Sequence, residues 1–111
     1  MTAAQVCSSG WSSRHRAVSA AEKRAVYAAY GIRSHATGRY EVDHIVSLEL
    51  GGSNAIANLY PEAALPRPGF HEKDRLENEL HAEVCGGTVT LAAAQRGIAR
   101  DWVALYAQAF G

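Results

Sequence analysis

Four polar residues near the middle of the chain are of types that can bind a metal ion or transfer a proton. Asp43 and His44 are adjacent, Asn58 follows 14 residues after the histidine, and His71 follows 13 residues after that. Histidine is well suited to accept a proton near neutral pH, and aspartate is a ligand for hard divalent cations. Such a set can place a cation beside a general base. An Asp-His pair alone is more often an incidental surface pair, so its surroundings decide its meaning.

A β-hairpin is expected to position the first three of these residues. The segment from Tyr40 to Val46 alternates in polarity and is rich in residues that favour strands, and ELGGSN after it predicts a chain reversal. The return segment AIANLY is expected to be short, because the prolines of PEAALPRPG, beginning at Pro61, disfavour regular structure. Within a regular strand Asp43 and His44 would point to opposite faces, so a bend or a metal would have to hold one of them.

Helices are expected on both sides of the hairpin. The segment SAAEKRAVYAAYG starts with a capping box formed by Ser19 and Glu22 and predicts a helix of about three turns. Apolar residues recur every four positions between residues 70 and 84, which predicts a second helix. Residues 90–110 carry a further apolar stripe behind a threonine cap and predict a third.

Length and composition predict one domain. A chain of 111 residues with 48% apolar residues can build a single core, and no window approaches the roughly 18 to 20 continuous apolar residues of a membrane span. Residues 1–18 are expected to form an irregular arm. The segment CSSGWSSRHR within it is rich in serine and glycine, and no helix is expected to start there. We therefore expect a small α+β domain over residues 1–111, in which residues 40–84 form a hairpin-helix core between N-terminal and C-terminal helices.

The charged residues are distributed unevenly, although the formal net charge is zero. The first 40 residues contain six basic side chains and one acidic side chain, whereas the remainder contains five basic and ten acidic ones. Zero net charge gives no support to a nucleic-acid partner, but this split suits a protein with a phosphate-facing side and a carboxylate-rich side. The same uneven distribution would also arise if both charged faces were simply exposed to solvent and had no binding role.

The hairpin segment resembles the HNH endonucleases, which have the ββα-metal fold. The match consists of the Asp-His pair at residues 43 and 44, a glycine-containing turn, Asn58, and a helix that opens with His71. The wider sequence, YEVDHIVSLELGGSNAIANLYPE followed by KDRLENELHAEVC and LAAAQRGIARDW, is similar to a bacterial subfamily found as secreted or toxin-like nuclease domains. The resemblance covers most of the chain, from VCSSGW to the end.

This resemblance implies a metal-dependent endonuclease that hydrolyses DNA phosphodiester bonds without marked sequence preference. His44 would be the general base that deprotonates the attacking water, and Asn58 would hold the hairpin loop and align that histidine. One divalent cation, held by Asp43 and His71, would stabilise charge on the phosphate and on the departing 3′ oxygen. Glu41 occupies a position where colicin-type members have a glutamate. Mg²⁺ is the expected ion, and Mn²⁺, Ni²⁺ and Zn²⁺ are open alternatives.

Three basic residues are candidate phosphate contacts: Arg39, Lys73 and Arg75. The last two lie in the predicted second helix, whose N-terminus favours an anion. His71 lies in the first turn of that helix, off its apolar stripe, whereas His81 lies about 15 Å further along the axis, too far to serve the same ion. The segment HEKDR begins like the zinc-protease motif HExxH, but Arg75 stands where the second histidine is required.

Two cysteines, Cys7 and Cys85, stand near opposite ends of the chain, with no CxxC pair. Their number alone leaves a disulfide and two buried thiols equally open. The resemblance implies that they pair, because a cysteine near the start and one in VCGG recur in the subfamily. A disulfide would place the protein in a secreted or extracytoplasmic setting, although MTAAQVCSSGWSS has no signal-peptide character.

DNA is the expected partner, RNA is a second candidate substrate, and an immunity protein would be a partner of a toxin. No membrane partner is expected. Two other functions stay open. One is a nucleic-acid-binding module of the same fold without catalysis, and the other is a structural zinc-binding domain with Asp43, His44 and His71 as ligands.

Overall fold

In the computed structural model, which describes residues 1–111, the centre of the chain forms the expected β-hairpin. Strand β1 (Tyr40–His44) pairs antiparallel with strand β2 (Leu59–Ala63) in a two-stranded sheet. The register runs from Tyr40 opposite Ala63 to His44 opposite Leu59. β1 ends two residues earlier than expected, because the chain bends at Ile45 into the loop, where a short 3-10 helix covers Leu48–Leu50. His44 therefore sits at the end of the strand.

The return strand includes Pro61, so the expectation that prolines exclude regular structure from this point is wrong. Backbone hydrogen bonds join Ile45 to Asn58 and Ala64 to Arg39, and bonded pairs alternate along an antiparallel ladder. This alternation places Pro61 and its partner Val42 at a non-bonded pair. The missing N–H of the proline therefore costs the ladder no hydrogen bond.

The three predicted helices are confirmed. They are α3 (Ala20–Ala29), α4 (Phe70–Cys85) and α5 (Leu91–Phe110), numbered after the two short N-terminal helices described next. The Ser19 hydroxyl accepts a hydrogen bond from the Glu22 backbone, and the Glu22 side chain accepts one from Ser19 N, which is the predicted capping box. The Thr90 hydroxyl caps α5 by accepting from Ala93 N at 3.1 Å.

The N-terminal arm contains two helices, so the prediction of an irregular arm is wrong. They are α1 (Ala3–Val6) and α2 (Trp11–His15). Both are too short to be stable alone, and contacts with the rest of the protein hold them. Val6 is buried in the core, and the neighbouring Cys7 is covalently bound to α4.

The core lies where α4, α5, α1 and the turn after β1 meet. Its eight buried residues are Val6, Leu50, Leu76, Leu80, Val84, Leu91, Ala94 and Ile98. The apolar stripes predicted for α4 and α5 are the faces that supply most of them. None of the helices combines the length and apolar character that a bilayer crossing requires.

Helix α5 is interrupted at Asp101, whose backbone is non-helical. The Asp101 carboxylate accepts a hydrogen bond from Ala104 N at 3.1 Å and thereby caps the second half. Gly97, an unfavourable residue inside a helix, lies close to that second half. A Cβ at Gly97 would come within 3.1 Å of Leu105 Cδ2, so glycine permits this approach.

Candidate functional site

A cleft of about 330 Å³ opens beside β1, and we call it the hairpin cleft. Its walls come from β1, the turn after β1, α4, and the segment that runs from α2 to α3. Five carboxylates line it: Glu41, Asp43, Glu49, Asp74 and Glu77. His44 also lines it, and two basic side chains face it from the N-terminal part of the chain, Arg16 and Lys23. Basic residues from the first 40 positions and acidic residues from later in the chain therefore line the same cleft.

His44 is half-buried in the wall of the hairpin cleft. Its Nε2 lies 3.0 Å from Oδ1 of Asn54, while Nδ1 has no hydrogen-bond partner within the protein. Its backbone N–H donates to Oδ1 of Asp43 at 2.8 Å. The strand end and Asn54 thus fix the imidazole, and no metal is needed to hold it.

Asp43 is buried and points toward α4, on the opposite side of β1 from the His44 ring as strand geometry requires. Its Oδ2 lies 3.1 Å from Nζ of Lys73, but this oxygen accepts no hydrogen bond of regular geometry. Lys73 also donates to Oε2 of Glu77 at 2.8 Å and to the backbone carbonyl of His44 at 2.7 Å. We call Asp43, Lys73 and Glu77 the buried triad.

Two carboxylates share one ammonium in the buried triad. Burial raises the pKa of Glu77 to about 8, against the opposing attraction of Lys73. Burial also disfavours the charged form of Lys73, but the carboxylates of Glu77 and Asp43 outweigh it, so the pKa of Lys73 is raised. The ammonium stays charged, and Glu77 holds a proton more tightly than a solvated glutamate.

Asn58 fastens the loop that follows β1. Its Oδ1 accepts from Val46 N at 3.0 Å, and its Nδ2 donates to the carbonyls of Val46 at 3.0 Å and Ser53 at 2.8 Å. Gly52 completes this tight loop, because any Cβ there would overlap the carbonyl of Val46. Asn58 touches the loop backbone and makes no hydrogen bond with the His44 ring.

Burial and neighbouring charges raise the pKa values of two further carboxylates of the hairpin cleft, Glu41 and Asp74. Desolvation raises the pKa of Glu41, and the charges of Asp74 and Asp43 add to the effect. Desolvation likewise raises the pKa of Asp74, and Asp43 adds to it. The positive charge of Arg16 acts in the opposite direction on both. The cleft therefore favours the arrival of a cation.

His71 lies in the first turn of α4 with its side chain exposed. Its ring packs against the ring of Phe70, with centroids 4.3 Å apart, and it does not line the hairpin cleft. It is still close enough that its positive charge lowers the pKa values of Glu41 and Asp74. His71 thus lies near these carboxylates but outside the cleft, while Oδ2 of Asp43 is paired with Lys73.

The candidate phosphate contacts are placed differently from the sequence expectation. Lys73 is fully buried and engaged in the buried triad, so the role of phosphate contact does not fit it. Arg75 packs over the ring of Phe110 at 3.8 Å, and Arg39 lies 5.7 Å from the ring of Tyr40. Both are exposed, and neither lines the hairpin cleft.

Arg16 and Lys23 are the basic side chains that sequence reasoning missed. Both are exposed and line the hairpin cleft. Their membership of the basic first 40 residues was the available signal. They are far from the hairpin in sequence, so the sequence did not indicate that they lie close to it in the fold. Asn54 was missed for another reason, since it lies in the predicted turn, where asparagine is common without any functional role.

Cys7 and Cys85 form the predicted disulfide, with Cα atoms 5.7 Å apart. His81 lies beside it, with Nε2 3.0 Å from the carbonyl of Val6 and 3.7 Å from Cys85 Sγ. The three side chains form a Cys-His-Cys group that could hold a metal ion, but both sulfur atoms are committed to the disulfide. None of the three lines the hairpin cleft.

No protein-family model, curated protein or solved structure matches this chain. The functional assignment therefore depends on the residues and their geometry.

Proposed function

We propose that this protein is a metal-dependent endonuclease of the HNH type that hydrolyses DNA phosphodiester bonds without marked sequence preference. One observation carries the proposal. An oriented histidine with an unengaged ring nitrogen, His44, lines a cleft that is also lined by carboxylates and by Arg16 and Lys23. A general base, a cation-attracting group and phosphate-attracting side chains are the parts that phosphodiester hydrolysis requires.

The order of elements supports the HNH assignment. β1, the glycine loop, β2 and α4 follow one another, and α4 packs against β1 through the buried triad. Asp43 and His44 end the first strand, Asn58 pins the loop, and His71 opens the helix. We include the ββα-metal arrangement in the proposal on this basis.

In the proposed reaction, His44 accepts the proton of the attacking water. Arg16 and Lys23, which line the cleft, attract the phosphate. Asn58 holds the loop that follows the strand end, and Lys73 binds the backbone carbonyl of His44 from the other side. Phosphate contacts carry no sequence information, which favours cleavage at many sequences.

The acidic residues fit a divalent cation. Oδ2 of Asp43 accepts no hydrogen bond of regular geometry, although Lys73 lies beside it. Desolvation raises the pKa values of Glu41 and Asp74, the charge of Asp43 adds to the effect, and a bound cation would act against both causes. A carboxylate offers about four lone-pair sites, so the Lys73 contact does not exhaust Asp43. We propose that Asp43, with Glu41 and Asp74, holds the ion, and that His71 is a further ligand at the rim. A cation there would stabilise negative charge on the phosphate and on the departing 3′ oxygen.

A hard, oxygen-rich ligand set favours Mg²⁺, and Mn²⁺, Ni²⁺ and Zn²⁺ stay as alternatives. RNA is a second candidate substrate, because a site directed at phosphodiester bonds need not exclude it. The disulfide is consistent with an extracellular location, since such bonds persist in oxidising compartments. A secreted, toxin-like role with an immunity protein as partner belongs to this proposal.

One observation favours a second candidate, a module of the same fold that binds nucleic acid without catalysis. Lys73 places a permanent positive charge beside Asp43, where a catalytic cation would otherwise supply it. The structural zinc alternative with Asp43, His44 and His71 has less support, because His71 lies outside the cleft that Asp43 and His44 line.

A plasmid-nicking assay tests the proposal. We expect supercoiled DNA to be relaxed and linearised with Mg²⁺ or Mn²⁺, to survive with EDTA, and to give a smear from a long substrate. The matched control is His35→Ala, whose ring lies outside the hairpin cleft against Tyr27 and Tyr40. DNA retardation without cleavage under any metal would favour the binding module, and discrete bands would contradict low sequence preference.

A further inference from the structure

Asn54 forms the central link of a hydrogen-bond chain that ends at His44. Its Nδ2 lies 2.6 Å from the backbone carbonyl of His15, and its Oδ1 lies 3.0 Å from Nε2 of His44. A backbone carbonyl can only accept a hydrogen bond, so the amide nitrogen of Asn54 must be the atom that faces His15. The amide oxygen must then face the His44 ring.

The orientation of Asn54 determines which ring nitrogen of His44 carries the proton. An amide oxygen can only accept, so Nε2 of His44 must donate to it. A neutral imidazole has one protonated nitrogen, and the proton at Nε2 leaves the lone pair at Nδ1. Nδ1 is also the ring nitrogen that has no partner within the protein.

We propose that Asn54 is a positioning residue that fixes the Nε2–H tautomer of His44 and makes Nδ1 its proton-accepting atom. This inference rests on the proposed function only where it assigns Nδ1 the role of accepting a proton from water. The tautomer itself is a property of the protein without substrate or metal. Asn54 does not touch substrate and acts through His44.

The two asparagines of the loop have different tasks. Asn58 binds backbone atoms of Val46 and Ser53, whereas Asn54 binds the ring. Because Asn58 holds the carbonyl of Ser53, it also fixes the residue that precedes Asn54. The N-terminal arm enters the same chain through the carbonyl of His15, whose own ring stacks on Trp11 with centroids 3.6 Å apart.

Nitrogen-15 NMR of the histidine rings tests the inference without DNA or metal. Spectra are recorded at about pH 8.5, where an ordinary imidazole is neutral. For the wild-type protein we expect separate limiting shifts for His44, with Nε2 protonated and Nδ1 not. The exposed His71 ring provides an internal reference with averaged shifts, because no protein group selects its tautomer. Averaged shifts for His44, or a proton at Nδ1, would overturn the proposal.

Two variants test whether Asn54 causes the limiting nitrogen shifts of His44. Asn54→Ala should give averaged His44 shifts, and Asn54→Asp should restore the limiting shifts, because a carboxylate oxygen can only accept. Backbone amide spectra establish that each variant is folded. A His44 spectrum unchanged by Asn54→Ala would overturn the role of Asn54.

Cleavage assays on the same proteins separate this inference from the proposed function. Asn54→Ala should lower kcat about tenfold to a hundredfold, the range typical of groups that orient a functional side chain, and Asn54→Asp should recover most of that loss. KM should change little. If the tautomer follows the expected pattern but the wild-type protein cleaves no nucleic acid, the tautomer assignment stands and the endonuclease proposal fails. Equal loss of kcat in both variants, despite restored shifts in Asn54→Asp, would overturn the catalytic use of Nδ1.

Discussion

The ammonium of Lys73 lies 3.1 Å from a carboxylate oxygen of Asp43, and both side chains are buried between α4 and β1. The same ammonium binds the backbone carbonyl of His44. The contact between helix and strand is therefore ionic where an apolar contact would be usual. It fixes the strand end that carries the proposed general base.

Replacing Lys73 by methionine should destabilise the protein strongly. The change leaves Asp43 and Glu77 buried without a positive partner, and breaking a buried pair in this way typically costs about 3–5 kcal/mol. The free energy of unfolding from urea titration measures the effect. The exposed Lys23→Met is the control and should change stability by less than about 0.5 kcal/mol. Equal stability of the two variants would show that the buried triad contributes nothing.

The protonation of Glu77 predicts a pH dependence of stability. Its pKa is raised to about 8, so the folded state holds the proton more tightly than the unfolded chain does. The resulting stability is present below the ordinary glutamate pKa of about 4.3 and is lost as the pH rises toward 8. The wild-type protein should lose stability relative to Glu77→Gln between about pH 5 and pH 8. Parallel stability curves in denaturant titrations would contradict this, and the exposed Glu79→Gln serves as control.

Removing the Asn58 amide should weaken the loop. Asn58→Ala leaves the N–H and carbonyl of Val46 without their partner, and an unsatisfied buried group costs about 1–3 kcal/mol. We expect a lower melting temperature together with slower cleavage. Asn58→Asp keeps the acceptor for Val46 N but loses both donated bonds. Its melting temperature should therefore lie between those of the wild-type protein and Asn58→Ala. An unchanged melting temperature in Asn58→Ala would exclude the loop-holding role.

The His44 side chain should be needed for cleavage and not for binding. His44→Ala removes a proton acceptor, and such losses lower rates by about 10²–10⁴-fold. The buried triad contacts only the backbone of His44, so the fold should persist. Nicking rates and DNA affinity distinguish a loss of cleavage from a loss of binding, and His35→Ala serves as the control in both measurements. Wild-type cleavage by His44→Ala would refute the site.

Loss of the disulfide should destabilise the protein. The bond joins residues 78 apart, and the chain-entropy model gives about 4.5 kcal/mol for a loop of this size. Denaturant titration with and without reductant measures the difference, and intact mass with alkylation establishes the oxidised state. Two alkylatable thiols in protein made in an oxidising compartment would contradict the bond.

The hairpin and the three long helices could be predicted from sequence because each has a local cause. The glycine turn, the capping residues Ser19 and Thr90, and the apolar periodicity of α4 act within a few residues. The short helices α1 and α2 could not be predicted, because they depend on distant contacts. For α1 these are Val6 in the core and the disulfide of Cys7, and for α2 the packing of Trp11 against the core. The inclusion of Pro61 in β2 depended on the register of the ladder, which the sequence does not display.

The site was predictable in its residue types and less so in its partners. His44 and Asn58 stand out because they are close in sequence and chemically suggestive. The partners of Asp43 and His44 come from distant segments: Lys73 lies 29 residues after His44, and the carbonyl that orients Asn54 belongs to His15, 39 residues earlier. Lys73 and Glu77, four residues apart on a helix, would ordinarily be a solvated surface pair. Only the packing of α4 on β1 makes that pair a buried one.

The bond between Cys7 and Cys85 has a consequence for proteolysis. It makes a covalent ring that contains the hairpin, α2, α3 and all of α4. The exposed stretch between α3 and β1 includes Arg33, which a trypsin-like protease could cut. A cut there would release no fragment, because the piece that carries His15 would stay tethered to the piece that carries His44. The nicked protein would keep its intact mass, apart from one added water, and would separate into two chains only on reduction.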